Sequence, residues 1–196
     1  MKALLSLLIL TPRLLAGQDS TARRPVRFAG VEWSSSRTVA IQKMEAEGFK
    51  RVSSPKLTYP ALDLAFDGKL MYYDARVYAF FTPSDALAKI QVLLLTPDAE
   101  VFDAYRKVVD NLTKKYGPPA EDVAYYKEPY KEADPQYQRE TACKAGYCNI
   151  AAFWKGLHEG DLWVQITKAL AVQVNHEGPS WNSEHNRRAA DAAKQF

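Results

Sequence analysis

Two stretches of this 196-residue chain follow the same plan: a capped helix that stops at a glycine and is followed by extended segments. The first is "VEWSSSRTVAIQKMEAEGFKRV", residues 31–52, in which serines precede a modest apolar stripe and Gly48 ends the helix. The second is "TPDAEVFDAYRKVVDNLTKKYGPP", residues 96–119, which has a stronger apolar stripe and stops at Gly117 and Pro118. This repetition predicts a fold built from two similar units.

The segments after each helix predict strands. The first helix precedes "ALDLAFDGKLMYYDARVYAFF" and "ALAKIQVLLL", with a turn signal at Asp67-Gly68, and the second precedes "NIAAFWKGL", "DLWVQIT" and "LAVQVNH". Each set accounts for about three strands. We therefore predict an α+β protein of two α-β-β-β repeats, forming one antiparallel sheet with the helices packed on one face.

The predicted boundaries follow from this order of elements. They are residues 1–22 for a signal peptide, 28–95 for the first unit, 96–178 for the second unit with a tyrosine-rich linker at 120–140, and 179–196 for a polar tail.

The composition favours a globular protein and gives little support to nucleic-acid binding. Hydrophobic residues make up 47% of the chain, and its 26 basic and 23 acidic residues are spread along the whole length. No basic helix interleaved with stacking aromatics is present in the sequence. We therefore expect no nucleic-acid partner.

The first residues resemble an export signal. Lys2 precedes the apolar run Ala3–Leu10, and Ser20-Thr21-Ala22 fits the small-residue rule for cleavage. The run has eight residues, whereas a membrane-spanning helix needs about 20. We predict a periplasmic or secreted protein with no membrane span after cleavage; a buried N-terminal strand or helix is the alternative.

Export would place Cys143 and Cys148, the two cysteines of the chain, in an oxidising compartment. We predict a disulfide that closes across the turn at Ala145-Gly146. A redox pair usually has the shorter C-x-x-C spacing, and a zinc site would need two further ligands. A structural disulfide is therefore the preferred interpretation.

The stretches "VEWSSSRTVAIQKMEAEGF" and "KKYGPP", together with the element order over residues 28–178, resemble small exported bacterial helix-plus-sheet modules. These include the β-lactamase inhibitory protein family and, more loosely, the outer-membrane assembly lipoproteins. No cysteine follows the apolar run here, so lipidation is not expected. The resemblance implies a protein- or peptide-binding function without catalysis, and no contact residue is carried over from it.

Alternation along the strands places large aromatic and polar side chains on the face away from the core. Aromatic and arginine side chains are the types that dominate protein interfaces, although sheet packing alone also uses them. Tyrosines in the linker must either fold back on the core or stay available to a partner. The predicted binding residues are Tyr72, Arg76, Tyr78, Phe80, Trp163 and Gln165 on the strands and Tyr126 and Tyr130 in the linker.

Catalytic signatures are absent from the sequence, which has no H-E-x-x-H, G-x-S-x-G, phosphate-binding loop or dinucleotide-binding pattern. His158 and His176 both start a His-Glu-Gly step, and a hairpin could return them to one end of the sheet. We predict a non-catalytic module that needs no cofactor and binds a protein or peptide of the cell envelope. The alternatives are a metal-dependent or hydrolytic enzyme that uses these two histidines and an envelope scaffold protein.

Overall fold

A computed structural model describes residues 25–54 and 56–194 of the chain. The predicted signal peptide, residues 1–22, lies outside the described residues. The described chain begins beside the sheet, where the buried Val26 donates its backbone N–H to the carbonyl oxygen of His158 at 3.2 Å.

Both helices of the repeat form, but the second begins at Val101 and lacks the side-chain cap that its sequence predicts. Helix α1 spans Arg37–Ala46, and the side chain of Ser36 caps it by accepting a hydrogen bond from the N–H of Val39. Helix α2 spans Val101–Tyr116 and is followed by Gly117 at a φ of 85°. Glycine adopts this left-handed conformation without steric cost, which is why the helix stops there.

In the described part of the chain, eight strands form a single sheet in which all neighbours are antiparallel. Their order across the sheet is β1-β2-β3-β4-β8-β7-β6-β5. The strands are β1 Lys50–Val52, β2 Leu64–Leu70, β3 Tyr73–Phe81, β4 Leu87–Leu95, β5 Glu121–Tyr126, β6 Cys148–Leu157, β7 Gly160–Ile166 and β8 Val172–Glu177.

The two units meet in the middle of the sheet, where β4 pairs with β8. These are the last strands of the first and second units, so each unit contributes one half of the sheet. The pair Val92 and Val174 lies at this junction, and both side chains are buried. One continuous core therefore runs under both units.

The predicted α+β class is confirmed, but within the described residues each unit has four strands instead of three. The additional strands are the two edges, β1 and β5. Strand β5 and the start of helix α3, Gln136–Ala145, occupy the region predicted as a linker at 120–140. Both edge strands expose most of their side chains, so they lack the apolar alternation that predicts a strand.

The turn between β2 and β3 lies at Met71-Tyr72, and the turn predicted at Asp67-Gly68 is wrong. Asp67 and Gly68 pair within the β2–β3 ladder. A side chain at Gly68 would collide with the ring of Phe49, whose Cδ1 would lie 2.4 Å from an added Cβ. The glycine is thus explained by a close approach within the core and not by a turn.

The alternating pattern correctly predicts which strand residues face the core. Ala75, Val77, Ala79 and Phe81 of β3 are buried on one face, which we call the inner face. Helices α1 and α2 pack on it through side chains that include Met44, Phe102, Tyr105 and Tyr116. We call the opposite side of the sheet the outer face.

The predicted polar tail, residues 179–196, contains helix α4, Trp181–Ala193. This helix contacts the outer face, since the ring of Trp181 lies 5.6 Å from the ring of Phe80. The prediction that the helices share one face concerned α1 and α2 and holds for them, whereas α4 lies on the opposite side of the sheet. Its sequence is polar because most of its side chains remain in solvent.

The predicted disulfide between Cys143 and Cys148 is present, with Cα atoms 4.7 Å apart. It joins the last turn of α3 to the first residue of β6, so the linked elements are a helix and a strand. Gly146 makes the reversal at a φ of 77° and accommodates the left-handed conformation between the two cysteines.

Candidate binding surface

Two rows of side chains cross the outer face through the strand register. One row contains Tyr78, Gln91, Asn175, Trp163 and Phe153, which oppose one another in turn from β3 to β6. The second row contains Arg76, Leu93, Gln173, Gln165 and Ala151. Four of the predicted binding residues, Arg76, Tyr78, Trp163 and Gln165, therefore lie on one surface.

The aromatic part of this surface is the pair Trp163 and Phe153. Their ring centroids are 6.2 Å apart and the ring planes are inclined by only 24°, so the two partly exposed rings stack, and we call this pair the aromatic platform. The ammonium group of Lys155 lies 5.6 Å from the Phe153 centroid and is paired with Glu121. Such a platform presents a large apolar area that loses little conformational entropy on binding.

A row of amide side chains continues from the aromatic platform. Gln165 donates to the side-chain oxygen of Gln173 at 3.2 Å, and Gln173 donates to that of Asn175 at 3.1 Å. The side-chain oxygen of Gln165 receives no hydrogen bond from the described part of the chain. The row thus ends in a free acceptor on the open surface, which an N–H or O–H of a bound molecule can satisfy.

Asn175, at the other end of the amide row, is fully buried. Its Nδ2 has no hydrogen-bond partner among residues 25–54 and 56–194. A buried donor without a partner is costly, so the Asn175 amide stabilises the fold less than a fully hydrogen-bonded amide would.

Arg76 lies at the other side of the surface and is held by two hydrogen bonds to Asp67. They measure 2.5 Å from Nε and 2.8 Å from Nη2. The hydrogen bonds to this carboxylate raise the pKa of Arg76 above its ordinary value, so the side chain stays charged. Because the guanidinium is fixed in place, a partner can meet it without further ordering of the side chain.

Helix α4 closes one end of the outer face through Lys89. The ammonium group of Lys89 lies 2.7 Å from Glu177 and faces the rings of Trp163 and Trp181 at 5.3 Å and 4.7 Å. Burial lowers the pKa of Lys89, while the pairing with Glu177 opposes this shift. Phe80 packs against Trp181 in the same place.

The structure limits the role of two predicted binding residues on the sheet. Phe80 is covered by α4, and Tyr78 is only 4% exposed, although both point to the outer face as predicted. The hydroxyl group of Tyr78 lies 3.5 Å from the side-chain oxygen of Ser54, in the segment that follows β1. These two side chains are covered by tertiary contacts with Ser54 and with Trp181, which the alternating pattern of the strand does not predict.

The other predicted residues lie away from the outer face. Tyr72 is at the β2–β3 turn and is 99% exposed, so its predicted place beside Arg76 is wrong. Tyr126 pairs opposite Cys148 on the inner side of β5, and burial raises the pKa of its hydroxyl against the effect of the nearby Arg139. Tyr130 folds back so that its ring lies 6.0 Å from that of Tyr147.

The two histidines of the alternative enzyme hypothesis do not share a solvent-accessible site. His158 is exposed at the β6–β7 turn, where its Nε2 lies 3.4 Å from Glu159. His176 is buried on the inner side of β8, with its ring 5.6 Å from that of Phe28. Within the described residues, no cluster of three or more His, Cys, Asp or Glu side chains is arranged to hold a metal ion.

Across residues 25–54 and 56–194, no helix has both the length and the apolar character needed to cross a membrane. Comparisons with protein families, curated proteins and solved structures found no match to this chain.

Proposed function

We propose that this chain is an exported, non-catalytic module that binds a protein or peptide of the cell envelope on its outer face. The observation that carries the proposal is the aromatic platform of Trp163 and Phe153 beside the amide row that begins at Gln165. Aromatic area next to fixed polar groups is the composition of protein-interface hot spots.

The charges of the outer face favour a polypeptide over a strongly charged ligand. Arg76 is neutralised by Asp67, Lys89 by Glu177 and Lys155 by Glu121. The surface therefore offers aromatic area and amide hydrogen bonds without a large net charge. Peptide groups and uncharged side chains match this chemistry, because amides both donate and accept hydrogen bonds.

Export is supported by the signal-like N-terminal sequence and by the Cys143–Cys148 disulfide. Disulfides persist in oxidising compartments such as the periplasm and the extracellular space. The partner is accordingly expected in the envelope.

Trp163→Ala tests the proposal, because truncation of a hot-spot tryptophan weakens binding by about 2 kcal/mol or more, roughly 30-fold. The exported chain would be cross-linked to its native envelope, and the captured proteins quantified by mass spectrometry. Gln165→Arg is a second variant, since it places a charge on the open face and keeps a donor toward Gln173. Both are expected to lower the recovery of the same partner.

Tyr137→Ala is the matched control, because Tyr137 is 65% exposed on α3 and away from the outer face. Near-ultraviolet circular dichroism would verify that each variant is folded. Recovery of the same proteins in equal amounts with all three variants would show that the outer face is not the binding surface.

A further inference from the structure

The turn at Met71-Tyr72 is an unusual place for two large side chains. Both residues have positive φ, 53° and 73°, in the two-residue connection between β2 and β3. Hairpin turns with this backbone usually contain Asn-Gly, because other side chains are strained in the left-handed region. Tyr72 is also 99% exposed. A tyrosine at this position is therefore unfavourable both for the backbone conformation and for the solvation of its ring.

A groove of about 950 Å³ lies directly beside the turn. It is lined by the turn itself, by the connection from β4 to α2, by one side of α2 and by the β7–β8 turn. Leu95, which is 50% exposed, contributes to the lining. Grooves of roughly 300–1,000 Å³ accommodate drug-sized molecules, so this one is large enough for a tyrosine side chain.

The charged side chains that line the groove are balanced. The carboxylate of Asp74 is already paired with Lys69. Of the other charged side chains, Lys107 and Lys114 contribute two positive charges, and Glu100 and Asp110 contribute two negative charges. None of the four has an ion-pair partner within the part of the chain that the structure describes. A two-fold rotation that sets this patch against a copy of itself can therefore bring cations opposite carboxylates.

We propose that this patch is a two-fold symmetric interface between two copies of the chain, in which Tyr72 of each copy enters the groove of the other. A two-fold contact uses the same surface on both copies, so that surface must carry both a protruding group and the recess that receives it. An exposed tyrosine beside a groove, with equal numbers of unpaired cations and carboxylates, meets this requirement. An unrelated partner would contact either the protruding Tyr72 or the groove, and would not require both on the same surface of this chain.

The interface goes beyond the proposed function and uses a different surface. Trp163, Gln165 and Arg76 do not line the groove. Self-association can therefore be measured on the purified chain alone, and its outcome does not depend on whether the outer face binds an envelope protein.

Sedimentation velocity on the purified exported chain tests the proposal between about 1 μM and 1 mM, the affinity range of small interfaces. The chain is expected to change from monomer to dimer over this range. Tyr72→Ala should remain monomeric, and Tyr137→Ala should associate like the parent. The double variant Met71→Asn, Tyr72→Gly should be monomeric and melt at a higher temperature, because it relieves the turn.

Two charge variants give an independent test that does not alter the turn. Lys107→Glu with Lys114→Glu removes both cations that line the groove, and Glu100→Lys with Asp110→Lys removes both of its unpaired carboxylates and leaves only Asp74, which is paired with Lys69. Each variant alone should be monomeric, and an equimolar mixture should form a heterodimer. The proposal is overturned if the parent stays monomeric at all concentrations, if Tyr72→Ala associates like the parent, or if the mixture fails to pair.

Discussion

His176 is a titratable side chain with almost no access to solvent. It is 5% exposed and lies on the inner face between Ile90 and Leu162 of the neighbouring strands. Burial lowers its pKa to about 3, and the positive charge of Lys115 acts in the same direction. The imidazole is therefore neutral in the folded protein and serves as part of the core.

This burial predicts a pH dependence of stability. Below the ordinary histidine pKa of about 6.5, His176 is protonated in the unfolded chain, whereas in the folded chain it stays neutral down to about pH 3. As the pH is lowered from about 6.5 to about 3, the free energy of unfolding should therefore fall by up to about 1.4 kcal/mol per pH unit. Urea denaturation at several pH values measures the free energy of unfolding of the parent and of His176→Met. The fall in stability that His176 causes should be absent from the variant.

His158→Gln is the control for this experiment, because His158 is 57% exposed. Its pH profile should match that of the parent. If His176→Met loses stability on acidification as steeply as the parent, carboxylates and not His176 cause the acid sensitivity.

Helix α3 depends on the disulfide for its attachment to the sheet. Cys143 is buried in the last turn of α3, and Cys148 begins β6, the neighbour of the edge strand β5. Lys144 of α3 also pairs with Asp98 at 2.5 Å, but both side chains are about half exposed. Exposed ion pairs contribute little, so the helix is held mainly by the covalent link, by the buried Ala142 and by the contact of Arg139 with the ring of Phe102.

Reduction of the disulfide should loosen the second unit more than the first. Closing so short a loop stabilises the fold by about 2 kcal/mol in the chain-entropy description. Hydrogen exchange with and without reductant should show faster exchange in α3, β5 and the start of β6, and little change in β2 and β3. Cys143→Ala with Cys148→Ala should reproduce the reduced pattern in the absence of reductant.

Two results would contradict this assignment of the disulfide. One is the detection of two free thiols by mass spectrometry in protein purified from the envelope without reductant. The other is a reduction effect that spreads equally over both units.

The last helix joins the end of the second unit to the first unit through a buried ion cluster. Arg188 donates to both oxygens of Asp63 at 2.6 and 2.7 Å and to the carbonyl oxygen of Phe81 at 2.9 Å. Glu184 accepts from Arg188 at 2.7 Å, and the ring of Tyr59 lies 4.7 Å from the guanidinium. Because these contacts cross between units, we expect the two units to unfold together.

Arg188→Met should cost about 3–5 kcal/mol of unfolding free energy, since it leaves the fully buried Asp63 carboxylate without its main partner. Lys155→Met is the matched control and should change stability by at most about 1 kcal/mol, because its pair with Glu121 is exposed. Urea denaturation measures both. Adding Asp63→Asn to Arg188→Met should cost less than the sum of the two single changes. Equal effects of Arg188→Met and Lys155→Met would show that the cluster does not hold α4 in place.

The local signals of the sequence determined helices α1 and α2, the three inner strands of each unit and the disulfide. Ser36 and Gly48 mark the limits of α1, and the alternation of β3, β7 and β8 assigns their inner and outer side chains correctly. These features were predictable because capping and alternation depend on residues that are close together in the chain.

Tertiary structure alone decided the edge strands, the position of α4 and the extent of the open surface. Strand β5 is held by its ladder with β6 and not by an apolar pattern, and α4 is held by Asp63, which lies 125 residues from Arg188. The cover over Tyr78 and Phe80 and the groove beside Tyr72 likewise arise where segments distant in the chain meet. Such contacts depend on the register and packing of the whole sheet, and no local sequence pattern encodes them.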